Sequence, residues 1–179
     1  YRPDPLDRAR GVVLFISGDG GWNSGVIDMA RRMAPQALVA GLSMPAWQKS
    51  AEKQRDRCWY PAGELEVAAQ ALEKRYALPR YVPPILVGYS SGATVVYGAL
   101  AQAPSTTFAG GVSLGFCPDL EIARPFCGQG DWKPKYDAKK RQGWLPERRD
   151  LAPPWHVPQG ATDQICSPSG TADFVQAIP

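Results

Sequence analysis

This 179-residue chain contains a single histidine, His156, and its four cysteines, Cys58, Cys117, Cys127 and Cys166, include no C-x-x-C pair. Structural zinc usually draws on close ligand pairs, so neither a metal site nor a cofactor is expected. The glycine-rich stretch Gly18-Asp19-Gly20-Gly21 runs into Trp22-Asn23, where a phosphate-cradling loop would need Lys followed by Ser or Thr. No run of about 18 apolar residues occurs, which argues against a membrane-spanning segment. The net charge of +3 is too small to argue for a nucleic-acid partner. Internal repeats are absent. The start, Tyr1-Arg-Pro-Asp-Pro5, has neither an initiating Met nor an apolar targeting segment. It reads as a processed form or a part of a longer protein, with any export signal out of view.

What is present fits one domain, residues 1–179, with 44% hydrophobic content and a chain long enough for a proper core. The four cysteines read as two disulfides in an oxidising compartment, with free buried thiols as the alternative. Spacing alone does not settle connectivity. Cys117–Cys127 is the favoured pair, because a short separation can close the start of a long loop, which leaves Cys58–Cys166.

Five β-like runs alternate with helical ones. Residues 11–17, 37–43, 85–89, 109–116 and 154–159 read as strands. Helices are expected after Asn23 or Ser24 through Met33, from Glu64 to Tyr76, from Ala93 to Ala101 and from Ser169 to Ile178. In 64–76, Leu65, Ala68, Ala69, Leu72 and Tyr76 recur at helical spacing while Glu66, Gln70, Glu73 and Lys74 face away. Alternating βα units imply an α/β three-layer sandwich around a mainly parallel sheet, in the order 2-1-3-4-5. Residues 120–150 read as a long polar insert without clear periodicity. Its eight basic and five acidic residues leave a net charge equal to that of the whole chain. Such a loop is either a lid or binding surface, or a solvated excursion pinned by a disulfide through Cys127.

The most informative stretch is Ile85-Leu-Val-Gly88-Tyr89-Ser90-Ser91-Gly92-Ala93. An apolar strand ends in Gly-x-Ser-x-Gly and a helix-compatible run follows, the order a nucleophile elbow requires. Ser90, with glycine at both −2 and +2, is the expected rim-exposed nucleophile. The first strand runs into Gly18-Asp19-Gly20-Gly21, a turn whose amides can face an oxyanion. In α/β-hydrolases that donor is paired with the amide of the residue after the nucleophile, here Ser91. The chain order of those enzymes is Ser, then acid, then His. Asp163, in the loop after the fifth strand, is the acid candidate. His156 precedes it and lies within a strand, so it reads as a hydrogen-bonded or partly buried structural histidine. The strand and His-bearing loop expected after Asp163 are missing, so either the chain is a fragment or the base has been lost.

Phe15-Ile-Ser-Gly-Asp-Gly-Gly-Trp-Asn23 together with Gly88-Tyr-Ser-Ser-Gly-Ala93 resembles the VirJ/AcvB family of bacterial virulence proteins, which are exported and have the α/β-hydrolase fold. Cys58-Trp-Tyr-Pro-Ala-Gly63, Leu114-Gly-Phe-Cys-Pro-Asp119 and Gly160-Ala-Thr-Asp163 look most like the first hydrolase-like half of an AcvB-type chain. The resemblance covers about residues 11–179. It implies a periplasmic serine hydrolase that releases the amino acid from aminoacyl-phosphatidylglycerol, with links to virulence, type IV secretion and secretion-system partners. Carried over by position, Ser90 would be the nucleophile, Asp163 the acid, and the amides of Asp19, Gly20 and Ser91 the oxyanion donors. The competing reading is a non-catalytic binding module of the same fold, which docks secretion components or assists a catalytic domain.

Overall fold

A computed structural model describes residues 1–4 and 9–178. The elements in chain order are β1 (Val12–Ile16), α1 (Ser24–Met33), β2 (Leu38–Leu42), α2 (Met44–Lys53), α3 (Pro61–Arg75), β3 (Ile85–Tyr89) and α4 (Ser91–Gln102). They continue with β4 (Gly110–Leu114), β5 (Asp119–Glu121), β6 (Lys135–Asp137), β7 (Gln142–Trp144), β8 (Trp155–His156) and α5 (Pro168–Gln176). Five strands form one parallel sheet in the order β2-β1-β3-β4-β8. This is the order expected from the alternation of strands and helices.

The strand sequences follow from burial on two sides. β1 is Val-Val-Leu-Phe-Ile, buried at every position, because helices cover both faces of a parallel sheet and alternation disappears. One layer is α1, whose Val26 and Ala30 pack with Val13, Phe15, Val39 and Val87. The other face carries Leu14, Ile16 and Leu86, packed with Met44, Leu65, Ala69, Val96, Leu100 and Phe174 from α2, α3, α4 and α5. α4 is buried along its whole length, as its small apolar residues require. Two of its polar side chains tie it to neighbouring segments: Thr94 donates to the Cys117 carbonyl and Gln102 to those of Trp59 and Cys127. Asn23 caps α1 by accepting from the Val26 amide at 3.2 Å.

Five expectations change. Glu73, expected on the outward side of α3, is buried, and its Oε2 accepts from the Val82 amide at 3.0 Å. The helix α2 lies where the sequence pattern predicts no element; Pro45 sits in its first turn and only Met44 and Ala51 are buried, so its apolar pattern is faint. Residues 120–150, expected to lack periodic structure, hold most of a small antiparallel sheet of β5, β7 and β6 and carry a disulfide through Cys127. Strands of three residues are too short to display alternation. The cysteines pair as Cys58–Cys127 and Cys117–Cys166, correcting the expected Cys117–Cys127 and Cys58–Cys166. Backbone pairing decides it: the Trp59 amide donates to Pro125 and the Cys127 amide to Trp59, which brings Cys58 and Cys127 to a Cα separation of 4.9 Å. His156, expected to be hydrogen-bonded or partly buried, is exposed. It lies on the short edge strand β8, on the face opposite Trp155. On that face α1 is the helix that packs among the described residues, and Ile85 and Tyr89 remain 39% and 42% exposed.

Candidate serine site at the sheet rim

Ser90 joins β3 to α4 with φ 54° and ψ −124°, one of three non-glycine residues at positive φ among the described residues. Such a conformation costs on the order of 1–3 kcal/mol and persists only where the surroundings over-determine it. Here they do. The Ser90 amide donates to the Leu114 carbonyl of β4 at 2.9 Å, and the Ser90 carbonyl accepts from Ala93 at 2.7 Å. The flanking glycines are required by contact rather than by φ. A Cβ at Gly88 would stand 2.2 Å from the Gly92 carbonyl oxygen, and one at Gly92 would stand 2.5 Å from the carbonyl oxygens of both Ile16 and Ser17. Strand β3, helix α4 and the end of β1 therefore meet backbone to backbone beneath the serine.

Ser90 is half-exposed, whereas Ser91 is 7% exposed and its Oγ has no hydrogen-bond partner among the described residues. The Ser91 amide opens α4, so it belongs to the first-turn N–H groups that have no partner inside the helix. The loop after β1 reaches the same point. A Cβ at Gly18 would lie 2.9 Å from Ser90 Cβ and 3.4 Å from its Oγ. The Ser17 hydroxyl holds this loop by accepting from the Met44 amide at 2.9 Å and donating to the Gly18 carbonyl. Gly21 N–H closes a turn onto Gly18, leaving Asp19 and Gly20 exposed at its tip. A cleft of about 300 Å³ runs from Asp19 to the small sheet, lined also by Gln48, Glu121, Ile122 and Arg141. A larger cavity, about 460 Å³, lies at the opposite end of the strands, between residues 9–11 and 76–82.

Asp163 stands on the same rim. A Cβ at Gly115, one residue past Leu114, would lie 3.8 Å from Asp163 Oδ2. The carboxylate accepts from the Ile165 and Cys166 amides at Oδ1 and from Gln159 Nε2 at Oδ2. The Cys166 amide, then that of Ile165, hold its carboxyl below the usual aspartate range.

No protein-family model, curated protein or solved structure matches this chain.

His156 does not join Ser90 and Asp163. It pairs in register with Val112, while Tyr89 pairs with Leu114, so Ser90 is level with Gly115, three residues nearer the rim. Three residues along a strand and two strands across place the backbones roughly 14 Å apart. The rim thus brings together a strained serine, a helix N-terminus, a glycine turn and an ionised carboxylate, without an imidazole between them. A residue not singled out from sequence, Gln159, also belongs to this group. The signal available was its place at the head of Gln159-Gly-Ala-Thr-Asp163.

Proposed function

We propose that this chain is an exported serine hydrolase of carboxylic esters, of the VirJ/AcvB type, acting on aminoacyl-phosphatidylglycerol in the bacterial periplasm. On this reading it is linked to virulence and type IV secretion. The observation that carries the proposal is the strained backbone of Ser90 between Gly88 and Gly92 at a strand-to-helix turn. Ser90 is the nucleophile, Asp163 the acid, and the amides of Asp19, Gly20 and Ser91 the oxyanion donors. Ser90 Oγ bonds to the ester carbonyl carbon and the glycerol oxygen leaves with a proton. Water then hydrolyses the acyl-enzyme, releasing the amino acid and restoring the serine. Two disulfides support an oxidising compartment. Among the described residues no helix is long and apolar enough to cross a membrane.

The position of His156 favours a second reading, a non-catalytic module of this fold that docks secretion components or assists a catalytic domain. Loss of one triad member commonly costs about 10⁴–10⁶ in kcat, so the 179-residue chain should turn over esters poorly. The test is fluorophosphonate labelling and ester turnover of this chain and of the protein as its host produces it, each with Ser90→Ala. Label that depends on Ser90 in the host form supports the hydrolase. Absence of label in both forms supports the binding module, and rapid Ser90-dependent turnover by the 179-residue chain would show that another group accepts the serine proton.

A further inference from the structure

The carboxylate of Asp163 is held by a side chain that itself spans two segments. Gln159 Nε2 donates to Asp163 Oδ2 at 2.9 Å and to the Cys166 carbonyl at 3.0 Å, while Gln159 Oε1 accepts from the Phe116 amide at 2.9 Å. One primary amide therefore uses both ends to join the exit of β4 to the loop that carries Asp163. The join continues across the rim. The Gly115 amide donates to the Pro158 carbonyl at 3.2 Å, and the Ser90 amide donates to Leu114. The Cys117–Cys166 disulfide closes the same pair of segments covalently.

The two carboxylate oxygens are not equivalent. Oδ1 is occupied by the Ile165 and Cys166 amides, whereas among the described residues Oδ2 takes only Gln159 and lies beside Gly115. A carboxylate oxygen can accept more than one hydrogen bond. Oδ2, on the side of the strand end next to Ser90, is thus the oxygen with acceptor capacity left.

We infer that Gln159 is a positioning residue for Asp163, turning Oδ2 toward the serine end of β4 so that it can receive the donor of a catalytic base. This rests on the hydrolase reading of Ser90 and Asp163, and it goes beyond that reading in assigning the orientation of the acid to one amide. A second-sphere group of this kind acts through geometry, and a misplacement of about 1 Å in an active site can cost about 10²-fold in rate.

The test uses Gln159→Glu and Gln159→Met in the protein as its host produces it, with the Asp163 carboxyl followed by ¹³C titration and Ser90 by fluorophosphonate labelling rate. Gln159→Glu keeps the shape but sets a second carboxyl against Oδ2; the pair then titrates in two steps, and the upper step should lie about one unit or more above the ordinary carboxylate range. Gln159→Met removes the donor without adding charge and should raise the Asp163 pKa by less than about one unit. Labelling of Ser90 should slow by about 10–100-fold in both variants, and neither should slow it further in an Asp163→Asn background. Gln159→Met keeps the test open if the charged variant fails to fold. An Asp163 titration unmoved in folded Gln159→Met would overturn the inference and leave the hydrolase reading standing. A shifted titration with no Ser90 label in the unmutated protein would overturn both, since there would be no catalytic acid to position.

Discussion

Placing a methyl group at Gly88 tests the elbow where its geometry is tightest. The added Cβ would meet the Gly92 carbonyl oxygen at 2.2 Å, its carbon at 2.4 Å and the Ala93 nitrogen at 2.7 Å. Ordinary carbon contacts begin near about 3.5 Å, so α4 would have to withdraw from β3 by more than about 1 Å. It cannot withdraw freely, because α4 is buried along its length. Overpacking of this kind typically costs about 1–3 kcal/mol, and backbone obstacles put Gly88→Ala at the upper end. For a domain of this size about 3 kcal/mol lowers Tm by about 6–12 °C. Gly25→Ala is the control with the opposite sign: its nearest neighbour would be Asn23 Oδ1 at 3.5 Å, and alanine in an exposed helical position gains up to about 1 kcal/mol. Thermal and urea unfolding of both variants, disulfides intact, measure the difference. A Gly88→Ala loss below about 0.5 kcal/mol, or an equal loss for Gly25→Ala, would refute the claim that strand and helix backbones are in contact beneath Ser90.

Further expectations can be checked separately. A non-reduced peptide map should recover Cys58 linked to Cys127 and Cys117 linked to Cys166; removing either bridge should cost up to about 4 kcal/mol by the chain-entropy relation for separations of 69 and 49 residues. The two loops interleave, so the remaining bridge softens each single loss, and a Cys117–Cys127 peptide would show that the backbone pairing at Trp59 is wrong. Ser90→Gly should raise stability by about 1 kcal/mol over Ser90→Ala, because glycine relieves the positive φ and gives back part of the gain as unfolded-chain entropy; equal midpoints for the two variants would count against strain at the elbow. Asp163 has its folded-state pKa lowered, chiefly by the Cys166 amide, so its contribution is present above the unfolded value of about 3.9 and is lost as pH falls through the lower folded value. Asp163→Asn should flatten the stability profile below about pH 4, and an acid limb unchanged by the substitution would show that the two amide contacts do not favour the carboxylate.

The main sheet was legible because its signals are local. Runs such as Ala37–Ser43 and Ile85–Tyr89 are short, apolar and bounded by turn residues, and their alternation with helices restricts the strand order. The pattern predicts α3 from Glu64, three residues after its start at Pro61, because the amphipathic repeat begins after the proline that opens the helix. Connectivity of the cysteines was not legible. It depends on Trp59 pairing with Pro125 and Cys127, a contact between segments remote in sequence that no spacing encodes. The small sheet was hidden for a similar reason, since Leu120 and Tyr136 become an inward face only when β7 lies between their strands.

At the site, Ser90 could be located from five residues, whereas the reach of His156 could not. The imidazole is kept from the rim by the register of β8. To bring His156 level with Ser90, β8 would have to slip by three residues relative to β4. Side chains alternate across a strand, so a slip by an odd number turns every one of them to the other face. Trp155 would then leave its cluster with Tyr97, Phe116 and Phe174, where ring centroids lie 4.6, 5.1 and 6.4 Å away, and its Nε1 would lose the Ser113 hydroxyl at 2.9 Å. The packing of Trp155 and the distance of His156 from Ser90 are therefore one structural fact, and on the hydrolase reading a base for Ser90 has to be sought elsewhere than at His156.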